Sequence, residues 1–107
     1  MKIDSLAFKT DLFFHRSNGV VLEFDDFIVI KAPENPTFFW GNYLYFKNPP
    51  GPNCRSFWKE QFNFQFQSMN VQHMAFSWDT VSGEEGFSSA FVKDGFNLEK
   101  SLVMTTQ

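Results

Sequence analysis

The sequence predicts an α/β (α+β) domain: a mixed, mainly antiparallel sheet flanked by helices. Three observations carry that expectation. FIVIKA (residues 27–32) and NYLYFK (42–47) are compact runs of β-branched and aromatic residues bounded by turn formers, as buried strands are. Trp58, Phe62 and Phe66 recur at four-residue spacing, which lines one face of a helix. AFVKDGFNLEKSLVM (90–104) reads as a helix that stops at Gly95 and passes into a last strand.

Taken in order, DSLAFKTDLFFHR (4–16) opens the chain. Leu6, Phe8, Leu12 and Phe14 alternate like a strand, while Phe8–Leu12 and Leu6–Phe13 have helical spacing. We take a short helix, followed by a Ser17-Asn18-Gly19 turn, since Asn and Gly both tolerate positive φ. Asp25-Asp26 then leads into FIVIKA, which Pro33 and Pro36 end. The short link to NYLYFK suggests an antiparallel pair. For residues 54–67, FNFQF alternates like a strand, but the Trp58, Phe62, Phe66 stripe and the intervening Lys59, Glu60 and Gln61 favour a helix. Phe57 and Phe64 then point away from that stripe. HMAFSW (73–78) reads as a strand, and Ser82-Gly83-Glu84-Glu85 as a capping box opening a helix with Phe87, Ala90 and Phe91 on one face. FNLEKSLVMT (96–105) is the last strand. After the N-terminal piece the order is therefore β, β, α, β, α, β, without an internal repeat or linker, in a single domain spanning 1–107.

Composition narrows the function classes. Aromatic residues make up 20% of the chain, including 16 Phe, which requires a packed core. The net charge is -3 and no Lys/Arg cluster occurs, so neither nucleic acid nor an anionic membrane surface is an expected partner. Cys54 is the only cysteine, which excludes an intramolecular disulfide and a CxxC metal site. With no apolar core in MKIDSLAFKT and no membrane-length run, a cytoplasmic protein is expected.

The segment between NYLYF and the second helix raises the main chemical question. A loop joining a strand to a helix N-terminus is a place where backbone amides and the helix dipole hold phosphate. This loop is NPPGPN (48–53), in which Pro49, Pro50 and Pro52 have no amide proton and fixed φ. A phosphate cradle is not expected there.

Two stretches carry a family resemblance. AFVKDGFNLEKSLVM resembles the closing segment of the GNAT acetyltransferase superfamily, where a helix ends in a pattern similar to F-x-x-x-G-F, here Phe91, Gly95 and Phe96. FIVIKAPENPTFFWGNYLYF and HMAFSWD resemble the accessory, acetyltransferase-like N-terminal domain of certain two-domain bacterial GNAT proteins, chiefly around Asn35-Pro36-Thr37 and Trp40-Gly41-Asn42. The resemblance covers the chain from about Asp11 onward and implies a GNAT-like sheet. In catalytic members of that family the corresponding loop follows a Q/R-x-x-G-x-G/A pattern and grips the pyrophosphate of acetyl-CoA. NPPGPN departs from it, so no bound cofactor is expected.

Four residues are candidates for a ligand site. Trp40 and Asn42 flank Gly41 at a loop-to-strand junction, where an indole could stack and an amide could hydrogen-bond a ligand. The simpler reading is a Trp lid on the core and an Asn that satisfies backbone groups. Trp78 and Asp79 end a strand, where ligand crevices form. Asp79 is the first general base to test if the chain is an enzyme, and a turn residue otherwise. His15 and His73 lack metal-ligand spacing, and Cys54 has no nearby histidine. The adjacent pairs Asp25-Asp26 and Glu84-Glu85 do not face one another.

The expected function is a non-catalytic, acetyltransferase-like domain with a structural, dimerisation or binding role, partnered by a catalytic GNAT domain or a second copy. The alternative is a GNAT-type N-acetyltransferase moving acetyl from acetyl-CoA to a small amine. A third reading is a small-molecule site using Trp40 and Trp78.

Overall fold

The computed structural model describes residues 3–34, 41–69, 71, 73–80, 85–86, 88–98 and 103–105. Its elements are α1 (Leu6–Asn18), β1 (Val20–Glu23), β2 (Phe27–Lys31), β3 (Tyr43–Phe46), α2 (Arg55–Gln65), β4 (Ala75–Trp78), α3 (Ser89–Lys93), β5 (Asn97–Leu98) and β6 (Val103–Thr105). Among the described residues the strands form one six-stranded sheet in the order β1-β2-β3-β4-β6-β5. The β3–β4 pair is parallel and the other neighbours are antiparallel. The mixed, mainly antiparallel sheet with flanking helices is thus present.

The segment 4–16, which fitted either state by pattern, is helical from Leu6 onward because tertiary contacts decide. Phe8 and Leu12, one helical turn apart, are both buried. Ser5 caps the helix by accepting from Phe8 N–H at 3.3 Å. The expected turn at 17–19 is corrected: the helix runs on through Asn18, and Gly19 lies extended at φ -161. Glycine is required at 19 by space, since a Cβ there would overlap the Lys31 carbonyl oxygen. β1 was not expected. It pairs with β2 through a tight turn in which Phe24 N–H donates to the Phe27 carbonyl at 2.8 Å. FIVIKA and NYLYFK form the expected antiparallel pair, with Val29 opposite Leu44.

Alternation along the strands makes two different faces. Phe27, Val29, Leu44, Phe46, Phe76 and Trp78 belong to one apolar cluster with Trp58, Phe62 and Phe66 of the α2 side and Phe91 and Phe96 of the α3 side. The Trp58 indole lies flat on Phe46, with ring centroids 3.9 Å apart and planes 3° from parallel. Ile28, Ile30, Tyr43, Tyr45 and Ala75 belong to a second cluster with Ile3, Phe8 and Leu12 beneath α1. The architecture is therefore helix, sheet, helices, in three layers. Phe57 and Phe64, off the α2 stripe, are solvent-exposed.

The F-x-x-x-G-F element has a local physical cause. Gly95 has φ +96, the expected left-handed conformation after a helix. Phe96 N–H donates to the Phe91 carbonyl at 3.0 Å, and Gly95 N–H to the Val92 carbonyl at 3.1 Å. Those two bonds are the Schellman pattern, and the apolar contact that accompanies it is the Phe91–Phe96 ring pair at 5.3 Å. The single strand expected over 96–105 is corrected to two. β5 and β6 fold back on each other, with Asn97 opposite Thr105. Of the proposed capping box, Ser82, Gly83 and Glu84 lie outside the described residues, as does Phe87.

Candidate functional site

The loop from β3 to α2 carries three prolines, of which Pro50 packs inward, Pro49 is half-buried and Pro52 is exposed. Lys47 N–H, just past β3, donates to the Asp26 carbonyl at 2.9 Å, which ties the loop to the β1–β2 turn. Pro50 is fully buried. Gly86 lies directly on the loop: a Cβ on it would overlap the Pro50 carbonyl oxygen and come within 2.9 Å of Pro49 Cβ. The Gly86 backbone therefore packs directly against Pro50, while Pro49 stays half-buried. Cys54 forms the N-cap of α2 without a side-chain cap bond. Burial pushes its thiol pKa up, while backbone hydrogen bonding from Gly51 and Cys54 pulls the other way. The first turn of α2 has no acidic residue, so its amides keep an anion-favouring dipole.

The three described residues of the predicted site, Asn42, Trp78 and Asp79, do not converge. Asn42 is fully buried at the start of β3. Its Oδ1 accepts from Ala32 N–H at 2.9 Å, joining the end of β2 to the start of β3. Its carbonyl accepts from His73 Nε2 at 3.2 Å. This is the backbone-satisfying role. Trp78 sits in the core beside Trp58, at 6.2 Å between centroids, and is 2% exposed; burial removes it as a ligand platform. Trp40 lies outside the described residues.

Asp79 follows β4 and faces the α1 side. Its Oδ2 accepts from Asp4 N–H at 2.6 Å. Its Oδ1 accepts from Ser5 N–H at 2.8 Å and from the Tyr45 hydroxyl at 2.8 Å. Both carboxylate oxygens are thus engaged, by the entry of α1 and by Tyr45 of β3. Because β3 and β4 run parallel, with Leu44 opposite Phe76, Asn42 and Asp79 lie at opposite ends of the sheet.

Two features went unnoticed in the sequence. The first is a groove of about 490 Å³ between α2 and the segment leading into β4. Lys59, Asn63 and Gln67 line one side at four-residue spacing, and Phe62, Phe66 and Phe96 supply apolar surface. His73 also lines it. Since a carbonyl only accepts, the ring donates through Nε2 to Asn42, and burial lowers its pKa, which favours the neutral ring. A second groove, of about 400 Å³, shares Lys59 and Asn63 with the first. Lys59 Nζ bonds Asp94 Oδ2 at 2.5 Å, linking α2 to the end of α3. The signal was present as a polar row one position behind the apolar stripe on α2. The second feature is a His–Tyr pair under α1, with His15 Nε2 3.0 Å from the Tyr43 hydroxyl.

Among the described residues no group of three His, Cys, Asp or Glu side chains could hold a metal ion, and no helix is long and apolar enough to cross a membrane. Compared with known proteins, the chain matches no family model, no curated protein and no solved structure.

Proposed function

We propose that the chain is a non-catalytic, acetyltransferase-like domain of the kind found as the accessory half of two-domain GNAT proteins. Its role is structural or in binding a partner, either a catalytic GNAT domain or a second copy. The observation that carries this reading is the NPPGPN loop, which occupies the cofactor-gripping position implied by the resemblance. Its three prolines withhold donors, and the Gly86 backbone packs against Pro50. A mixed, mainly antiparallel sheet whose parallel strands flank α2 supports the family part of the reading. The Schellman motif at Gly95 gives it little weight, because that geometry stops many helices.

Turnover tests the claim that the domain is non-catalytic. With acetyl-CoA and a panel of small amines, no amine-dependent release of free thiol is expected. Amine-dependent thiol release would support the alternative, an N-acetyltransferase. Under that alternative Asp79 would have to release bonds to take part, since three donors already hold its oxygens.

A second reading, a small-molecule site, is favoured by the groove along α2, whose size falls in the range of ligand pockets. It replaces a site built on Trp78. A thermal-shift screen in which Lys59→Ala or Asn63→Ala erases a ligand-induced rise in Tm supports this reading. A screen without any shift counts against it.

A further inference from the structure

We propose that α1 is a separately opening layer of the domain, latched to the sheet by Asp79. The inference stands apart from the acetyltransferase reading and rests on the contrast between the two sheet faces. On the α2 face, β2, β3 and β4 bury Phe27, Val29, Leu44, Phe46, Phe76 and Trp78 in the large aromatic cluster, with Lys31 at the end of β2 reaching over the Phe66 ring at 5.6 Å. On the α1 face, the apolar Ile28, Ile30 and Ala75 are joined by Tyr43, Tyr45 and the following Asp79. Above them, Phe8 and Leu12 are the buried anchors of α1, with Phe8 stacked on Tyr45 at 3.4 Å. Phe13 and Phe14 face outward, 77% and 61% exposed.

Each end of this layer is held by a polar contact. At the entry, Asp79 accepts from the Asp4 and Ser5 amides and the Tyr45 hydroxyl. Near the exit, His15 meets the Tyr43 hydroxyl. Water replaces such bonds when the helix lifts, whereas opening the other face would expose the larger aromatic cluster to water. Opening free energies differ between parts of a fold for this reason. Lifting α1 uncovers Tyr43, Tyr45 and Ile28 and frees a helix carrying Phe8, Leu12, Phe13 and Phe14. The domain then has a two-position element that a partner can bias while the α2 side stays intact.

Native-state hydrogen exchange on the full chain tests this. Amides of α1 are expected to be at least about tenfold less protected than those of β2, β3 and β4. In Asp79→Asn an amide nitrogen replaces one acceptor oxygen and faces backbone donors. Exchange of α1 should rise by about tenfold, the factor for one charged hydrogen bond, with α2 unchanged. If Asp79→Asn does not fold, Tyr45→Phe, which removes one of the three donors, is read the same way with a smaller rise. Equal protection of α1 and the central strands would overturn the proposal. So would a variant that leaves α1 unchanged or raises exchange everywhere alike.

Discussion

Gly86 rests on Pro50. Its φ is +57, and a Cβ on it would overlap the Pro50 carbonyl oxygen. The contact closes the β3–α2 loop from above and needs a residue without a side chain. Gly86→Ala introduces both a steric overlap and left-handed strain. A loss of about 2 kcal/mol or more is expected in urea-unfolding experiments. Gly51→Ala, in the same loop but with nothing within 4 Å of its Cβ, is the control and should change stability by less than about 0.5 kcal/mol.

The aromatic stripe of α2 makes a second comparison. Trp58 is buried flat against Phe46, while Phe64 on the same helix is 62% exposed. Trp58→Ala should cost about 3–5 kcal/mol, and Phe64→Ala less than about 0.5 kcal/mol. Chemical denaturation of the two variants measures both. Similar losses would mean that α2 packs through a different face.

Acid should weaken the fold through its histidines. Burial lowers the pKa of both His15 and His73 below the usual 6.5. The unfolded chain therefore takes up protons at these sites before the folded chain does. Their neutral forms carry no penalty above about pH 6.5, and stability falls as pH drops from there through the folded pKa values. Denaturation midpoints measured between pH 7.5 and 5 should decline, and His73→Gln should flatten the decline. A midpoint that rises on acidification would contradict the buried, neutral ring.

Cys54 should be a slow thiol. Burial raises its pKa, so the thiolate is scarce near neutral pH. Alkylation by iodoacetamide at pH 7 should be slower than for an unstructured cysteine peptide, and should accelerate as pH rises or urea is added. Alkylation faster than the peptide would point to an activated nucleophile.

What could be read from sequence was where local pattern and burial coincide. The Trp58, Phe62, Phe66 stripe, the buried run at 27–31 and the glycine stop at Gly95 each combine periodicity with a local chemical reason. β1 was missed because VVLE is a short edge strand with one half-buried and three exposed residues, so it carries little hydrophobic pattern. The β5–β6 reversal was missed because the polar Glu99-Lys100-Ser101 between the apolar residues was read as part of one strand, and pairing across the sheet separates the two. Asp79 shows the limit most clearly. Its partners Asp4 and Ser5 are 75 and 74 positions away, and nothing near it in sequence announces them. The α2 groove was half legible: its polar row is visible, but the loop that walls it is placed by tertiary packing alone.

The central claim is that the NPPGPN loop does not grip a pyrophosphate. Isothermal titration of the full chain with CoA and acetyl-CoA tests it most directly. The account predicts no saturable heat up to millimolar ligand. Saturable binding in the micromolar range, weakened by substitutions at Gly51 or Asn53, would contradict it.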